Sequence, residues 1–119
     1  MDVSELFAAI DRRDAQAFGQ FIAEEGTFRM GSLPATVGPE ATTEFVRGFF
    51  GTLSWVRHEN LVTYGSGENL FIEGDVTYGL PNGTEVTVPF LNRLRVEGDK
   101  AAEYRIYLDP TPVAAAFAQ

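Results

Sequence analysis

Four long segments in the second half of the chain alternate between apolar and polar residues, and this pattern constrains the fold more than any other feature. Each segment has the length and composition of a β-strand. Only a few turn-forming residues, such as Pro81-Asn82-Gly83, separate one segment from the next, and strands joined by such short turns pair in antiparallel fashion. We therefore predict an antiparallel meander. Its strands are residues 55–64, 70–79, 84–97 and 101–109.

The first half of the chain has helical rather than alternating periodicity. Asp2 and Glu5 have the spacing of a capping box before the first helix. Asp14 is placed to cap a second helix, with Phe18, Phe21 and Ile22 as its apolar positions. These signals predict two short helices before residue 26.

A glycine ends the predicted second helix and a proline begins the third. Gly26 is expected to break the helix, and residues 27–30 read as a short strand. Pro39 marks the first turn of a third helix that ends at Gly51.

Three helices followed by a meander predict an α+β fold, in which the helices pack on the concave face of a curved sheet. The domain is expected to span residues 1–113, with residues 114–119 as a loose C-terminal tail.

Composition excludes several classes of function. The formal net charge of −8 disfavours binding to nucleic acids and to anionic membranes. Cysteine is absent, which removes disulfides and cysteine zinc sites, and the single histidine rules out a multi-histidine metal site within one chain. The first residues lack the basic and apolar pattern of a signal peptide, so a cytoplasmic protein is expected.

Asn92 is the residue that most clearly indicates a functional site. It interrupts an otherwise apolar strand face that includes Val88, Phe90 and Leu94, and a buried amide needs hydrogen-bond partners. One interpretation is a polar group directed into a pocket, where it could orient a hydroxyl or stabilise an oxyanion. The other is an amide bonded to the backbone where the sheet bends.

His58 is the second candidate. The pattern of residues 55–64 directs Val56, Val62 and Tyr64 inward, and His58 with them. A histidine in that position could act as a general base or acid. The alternative is a partly exposed histidine near the beginning of its strand.

Glu73 and Asp75 have the spacing of a carboxylate pair. Alternation places Ile72 and Val76 inside, so the two acids are expected on the opposite face, in a solvated or interfacial position. Tyrosine hydroxyls could also enter a pocket, although tyrosines such as Tyr78 and Tyr104 are more often core residues with one polar end.

The order and spacing of these features resemble the SnoaL-like branch of the nuclear transport factor 2-like superfamily, over roughly residues 3–113. The segments that carry the resemblance are Ile10-Asp11-Arg12-Arg13-Asp14, Val37-Gly38-Pro39-Glu40, the Phe45 to Phe50 stretch, Arg57-His58-Glu59, Val88-Pro89-Phe90 with Asn92, Val96-Glu97-Gly98-Asp99-Lys100 and Tyr104-Arg105-Ile106-Tyr107-Leu108-Asp109.

The resemblance implies a cone-shaped fold with a strongly curved sheet, usually dimeric through the sheet. The superfamily includes polyketide cyclases, ketosteroid isomerases, limonene epoxide hydrolases and scytalone dehydratases, besides many non-catalytic members. Its enzymes typically perform acid–base chemistry without a metal or cofactor, so none is expected here.

The acids of the related enzymes do not carry over onto this sequence. The isomerase general base falls at Met30, its helix-borne tyrosine at Leu6, and the last-strand acid of the cyclases and epoxide hydrolases at Ile106. The Arg/Asp pair of the hydrolases falls near Gly74 and Val76, where a shift of one residue would bring Glu73 and Asp75 inward instead.

Two polar positions do carry over. Asn92 falls at the position of the isomerase oxyanion-hole acid and of the dehydratase asparagine, and His58 at about the position of a dehydratase histidine.

The sequence therefore predicts a cofactor-free pocket that binds a mainly apolar, oxygen-bearing small molecule. If the protein is an enzyme, His58 and Asn92 are the expected catalytic residues of an isomerase-, dehydratase- or cyclase-like proton transfer. The alternative is a non-catalytic ligand-binding or dimeric interaction module; a third possibility is a subunit that binds a partner through the outer sheet face. The expected ligand-binding residues are Met30, Phe45, Phe49, Tyr78, Phe90, Tyr104, Ile106 and Leu108.

Overall fold

A computed structural model describes the backbone of residues 1–119 and every side chain except that of Ser66. The elements along the chain are α1 (Val3–Asp11), α2 (Ala15–Gly19), β1 (Ile22–Met30), β2 (Thr36–Val37), α3 (Pro39–Gly51), β3 (Trp55–Ser66), β4 (Asn69–Gly79), β5 (Glu85–Glu97), β6 (Lys100–Leu108) and α4 (Thr111–Phe117).

The six strands form one sheet in the order β2-β1-β6-β5-β4-β3. Strands β3 to β6 form the predicted antiparallel meander, and β1 joins it in parallel beside β6. The expected α+β fold, with helices packed on one face of a curved sheet, is confirmed. None of the helices in the described part of the chain is long and apolar enough to cross a membrane.

Alternation in β4 and β5 gives the predicted inner and outer faces. Val88, Phe90 and Leu94 are buried on β5 together with Asn92. On β4, Ile72 and Val76 are buried and pair with inward-facing residues of β5, whereas Glu73 pairs with the exposed Leu91. Glu73 and Asp75 therefore face away from the helices, as the alternation predicted.

The second half of β3 faces the opposite way from the prediction. Val62 and Tyr64 were expected inside, but their exposed fractions are 44 % and 50 %. The register changes between Glu59 and Val62, where Asn60 adopts a left-handed backbone conformation with φ of 58°. This bulge adds a residue to β3 and shifts the alternation by one, so His58 stays inside and the residues after the bulge face out.

The boundary between α2 and β1 also differs from the prediction. Helix α2 ends at Gly19, so Phe21 and Ile22 are not helical, and β1 begins at Ile22 rather than at residue 27. Gly19 packs so closely on α3 that a Cβ atom there would meet the Thr43 side chain. Gly26 does not break a helix; it lies within β1, where a Cβ would meet the carbonyl of Ala101 on the neighbouring strand.

The end of the chain is ordered into a helix instead of the expected loose tail at residues 114–119. Helix α4 (Thr111–Phe117) buries Ala116. The Asn82 side chain donates hydrogen bonds of 3.1 Å to the carbonyl oxygens of Ala116 and Gln119. The β4–β5 turn therefore holds this helix in place.

Candidate functional site

A mainly apolar cavity lies between the sheet and the helices. It is lined by the helix residues Ile10, Phe18, Val46, Phe49 and Phe50 and by the strand residues Phe28, Met30, Val56, His58, Val76, Tyr78, Phe90, Asn92, Tyr104, Ile106 and Leu108. Only four of these side chains carry polar groups: His58, Tyr78, Asn92 and Tyr104.

The cavity is small. The volume open to the centre of a water-sized sphere is about 50 Å³, and one water needs roughly 10–15 Å³ on that measure. The space therefore admits a few water molecules. A larger ligand requires wall side chains to move. The apolar wall residues that are only partly buried are Ile10, Met30, Phe49, Ile106 and Leu108.

His58 is held in a fixed orientation by Asp11, the last residue of α1. The His58 Nδ1 lies 2.6 Å from Asp11 Oδ1, and the His58 backbone N–H donates to Asp11 Oδ2 over 3.1 Å. An ionised carboxylate can only accept, so this contact places the proton on Nδ1. In the neutral ring, Nε2 is then the nitrogen that carries the free lone pair.

The His58 ring is packed among aromatic side chains rather than exposed as a surface group. Its side chain is 10 % exposed. Its ring centroid lies 5.0 Å from that of Phe7 and 5.2 Å from that of Phe90, both in edge-on geometry. Of the two interpretations of His58, the inward-facing one is correct for its position.

Asp11 was not among the predicted site residues. A carboxylate in the last turn of a helix is disfavoured by the helix dipole, and Asp11 occupies such a position in α1. An acidic residue at this unfavourable helix end was the one indication in the sequence that Asp11 has a partner elsewhere in the fold.

Asn92 is 3 % exposed, and only part of its amide is paired. Its Nδ2 donates to the Tyr104 hydroxyl over 3.3 Å, whereas its Oδ1 is buried and has no partner among the described residues. The alternative interpretation, in which this amide bonds to the backbone, is therefore wrong. Asn92 instead adds an unpaired acceptor to the cavity wall, two residues along β5 from Phe90.

Both tyrosines on the cavity wall stay protonated well above neutral pH. Burial raises the pKa of Tyr78 to about 12. Burial also raises the pKa of Tyr104, an effect that the hydrogen bond from Asn92 partly opposes. These hydroxyls can therefore donate hydrogen bonds to a ligand but cannot serve as bases near pH 7.

The structure brings most of the predicted site residues together on this one wall. His58 and Asn92 line the cavity with seven of the eight predicted ligand-binding residues; the exception is Phe45, whose ring packs 5.9 Å from that of Phe28. Sequence reasoning missed Phe18, Phe28 and Phe50 as wall residues. Among the described side chains, no three histidine or acidic residues lie close enough together to hold a metal ion.

Solved structures share this fold at low sequence identity. A hypothetical protein with a ketosteroid isomerase-like fold from Catenulispora acidiphila, in complex with trimethylamine, has 21 % identity and a TM-score of 0.87, with 96 % of this chain and 89 % of that chain covered. TerC co-crystallised with polyporic acid has 14 % identity and a TM-score of 0.85, with 98 % and 95 % covered. A proposed polyketide cyclase from Xanthomonas campestris has 20 % identity and a TM-score of 0.85, with 96 % and 92 % covered.

Sequence comparison places the chain in a family. No curated protein sequence matches it significantly. The profile of the SnoaL-like domain matches residues 3–104, which is most of the chain. The protein therefore belongs to the SnoaL-like domain family.

Proposed function

We propose that this domain binds a small, mainly apolar, oxygen-bearing molecule and transfers a proton within it through His58. The observation that carries the proposal is that His58, on the wall of a mainly apolar cavity, is paired with Asp11 behind it. A buried imidazole whose orientation is fixed by a carboxylate is an arrangement suited to general acid–base chemistry.

Asp11, His58 and Tyr104 have distinct roles in the proposed reaction. Asp11 keeps the proton on Nδ1 and stabilises the imidazolium that forms when Nε2 accepts a proton from the ligand. The Tyr104 hydroxyl accepts from Asn92, so its own proton remains free to donate to an oxygen of the ligand. General base action of this kind contributes about 10²–10⁴-fold to a rate.

The names of the structural neighbours support the ligand class. TerC was crystallised with polyporic acid, and another neighbour is a proposed polyketide cyclase. An apolar cavity with a few polar groups suits an oxygen-bearing organic molecule of this general kind.

The alternative is a non-catalytic ligand-binding module of the same fold. Apolar residues at Leu6, Met30 and Ile106 favour it, because related enzymes have ionisable or hydroxyl-bearing residues at the corresponding positions.

The test uses 2-tetralone, a bicyclic ketone with acidic C–H bonds, and compares wild type with His58→Ala. Nuclear magnetic resonance in D₂O measures both binding and the exchange of the α-hydrogens for deuterium. We expect wild type to accelerate exchange and His58→Ala to lose at least about tenfold of that rate while still binding. Binding without acceleration by wild type would establish the alternative.

The single histidine allows a second measurement on the same samples. The ring ¹⁵N signals of neutral His58 are expected to report a proton on Nδ1, and Asp11→Ala is expected to move it to Nε2. Asp99→Ala, in the exposed β5–β6 turn, is the matched control. A proton already on Nε2 in wild type would contradict the proposed role of Asp11.

We also propose that the domain forms a homodimer through the outer face of the sheet. Five large apolar or aromatic side chains on that face are 37–50 % exposed: Val62, Tyr64, Phe71, Leu91 and Tyr107. Clusters of this kind favour an interaction surface. Sedimentation analysis tests the proposal, and a monomer that captures a different protein would support the partner-binding possibility instead.

A further inference from the structure

Three arginines lie side by side on the outer face of the sheet. Arg105 on β6 pairs in register with Arg93 on β5 and with Arg29 on β1. Like charges directly opposite each other on neighbouring strands destabilise a sheet. This arginine row (Arg29, Arg105 and Arg93) therefore requires compensation from another group.

The described residues of one chain compensate the arginine row only in part. Arg29 donates to the carbonyl oxygens of Leu33 and Ser32, and Arg93 pairs with Glu103 over 2.9 Å. Arg105 forms no ion pair with a described carboxylate, and its Nε is buried without a hydrogen-bond acceptor. The positive charge of Arg105 therefore has no negative partner among the described residues.

Arg105 is also held in a fixed direction. Its guanidinium lies over the ring of Tyr107, 4.8 Å from the ring centroid. A guanidinium stacked on an aromatic ring keeps its donors in one plane, which suits recognition of a carboxylate.

Two carboxylates on the same face lack a cation. Glu73 accepts a hydrogen bond from the Tyr64 hydroxyl over 2.6 Å, and Asp75 accepts one from the Asn60 side chain over 2.9 Å. Neither forms an ion pair with a described residue. These two residues of β4 form an acidic ridge (Glu73 and Asp75) on the outer face.

The acidic ridge and the arginine row lie close together on the outer face, among the exposed apolar residues: Leu91 is in register with both Glu73 and Tyr107. The ridge is on β4 and the row runs from β5 outward to β1. A two-fold axis along the strands, between β4 and β5, would place β4 of each copy over β5 of the other. Glu73 is in register with Leu91, two residues from Arg93. Two residues span about 7 Å along a strand and facing sheets lie about 10 Å apart, a separation that the arginine and glutamate side chains span together.

We propose that the arginine row binds the acidic ridge of a second copy of this chain. The inference rests on the proposed homodimer and adds which groups pair and how the copies are oriented. The contact occurs twice in each dimer because a two-fold interface is self-complementary. Opposite charges arranged in this way determine orientation and make association sensitive to salt.

The experiment exchanges the charges. One variant carries Arg93→Glu and Arg105→Glu, and the other carries Glu73→Arg and Asp75→Arg. Each variant alone would place like charges across both contacts, so we expect its dimer dissociation constant, measured by sedimentation, to rise at least about tenfold. An equimolar mixture would restore opposite charges at both contacts, and we expect a heterodimer.

A matched control changes net charge without touching the sheet. Arg12→Glu with Arg47→Glu adds the same negative charge on the helical side, and its dimer affinity should equal that of wild type. Circular dichroism checks that each variant folds. If the reversals unfold the protein, Arg93→Gln with Arg105→Gln replaces them, and it should remove most of the salt dependence of wild-type dimerisation.

Each outcome decides the proposal. A dimer whose affinity responds neither to the reversals nor to salt would overturn the charge pairing and leave the apolar-face dimer standing. A mixture that remains monomeric would also overturn the pairing. A wild-type protein that is monomeric at all concentrations would overturn both, and none of these results bears on proton transfer by His58.

Discussion

His58 and Asn92, two polar residues on the cavity wall, differ in how completely they are paired. Asp11 holds both the ring and the backbone N–H of His58, whereas Asn92 keeps an unpaired buried acceptor. An acceptor left unpaired in the interior costs about 1–3 kcal/mol. A ligand hydroxyl that donates to Asn92 Oδ1 would recover that free energy on binding.

Replacing Asn92 and Tyr104 together should therefore stabilise the fold while weakening binding. The double variant Asn92→Leu with Tyr104→Phe removes the unpaired acceptor and leaves no new unpaired partner, so we expect its free energy of unfolding to rise by about 1 kcal/mol. Urea denaturation measures it.

The hydroxyls of Thr77 and Thr87, which are 2.8 Å apart and bond to each other, provide the control. Changing both to valine removes a hydrogen bond without removing an unpaired group, so stability should fall by about 1 kcal/mol. A loss of stability in the Asn92 and Tyr104 double variant as large as in this control would contradict the role assigned to the Asn92 acceptor.

Among the elements, β3 departs most from its sequence pattern. Regular alternation would bury Val62 and Tyr64, but the bulge at Asn60 turns them to the outer face. The bulge thereby adds two large side chains to the proposed dimer surface. It also interrupts an edge strand of the sheet, which hinders pairing with another chain.

The left-handed conformation of Asn60 gives a direct test of the bulge. Valine at this position should lower the free energy of unfolding by about 1–2 kcal/mol, because β-branched residues tolerate this conformation poorly. Glycine is the control and should change stability little, since it adopts positive φ readily. Chemical denaturation compares the two, and equal effects would show that backbone conformation does not determine the choice of residue.

For the whole molecule, the buried tyrosines predict a loss of stability at alkaline pH. The pKa of Tyr78 is raised from 10.0 to about 12 by burial. Its stabilising contribution is complete below pH 10 and is lost as pH rises toward 12, because the unfolded chain then releases the proton and the folded chain does not. A difference of two pKa units corresponds to about 3 kcal/mol.

Urea denaturation at pH 8 and near pH 11 tests this expectation. Tyr78→Phe should lose less stability over that interval than wild type. Val88→Ala, a truncation of a buried residue without a titratable group, should lose as much as wild type. If Tyr78→Phe shows the same loss as wild type, the tyrosine does not carry the alkaline effect.

The sequence by itself determined the meander, the faces of β4 and β5, and the inward positions of His58 and Asn92. These follow from local periodicity, since the side chains of a strand alternate between two faces and only one face is buried. The tertiary structure decided the direction of the residues after Asn60, the helix at the C-terminus and the small volume of the cavity. It also decided the partner of His58, which lies 47 residues away along the chain, and the neighbours of Arg105. Each of these depends on which distant segments meet and in what register, and local periodicity carries no information about that.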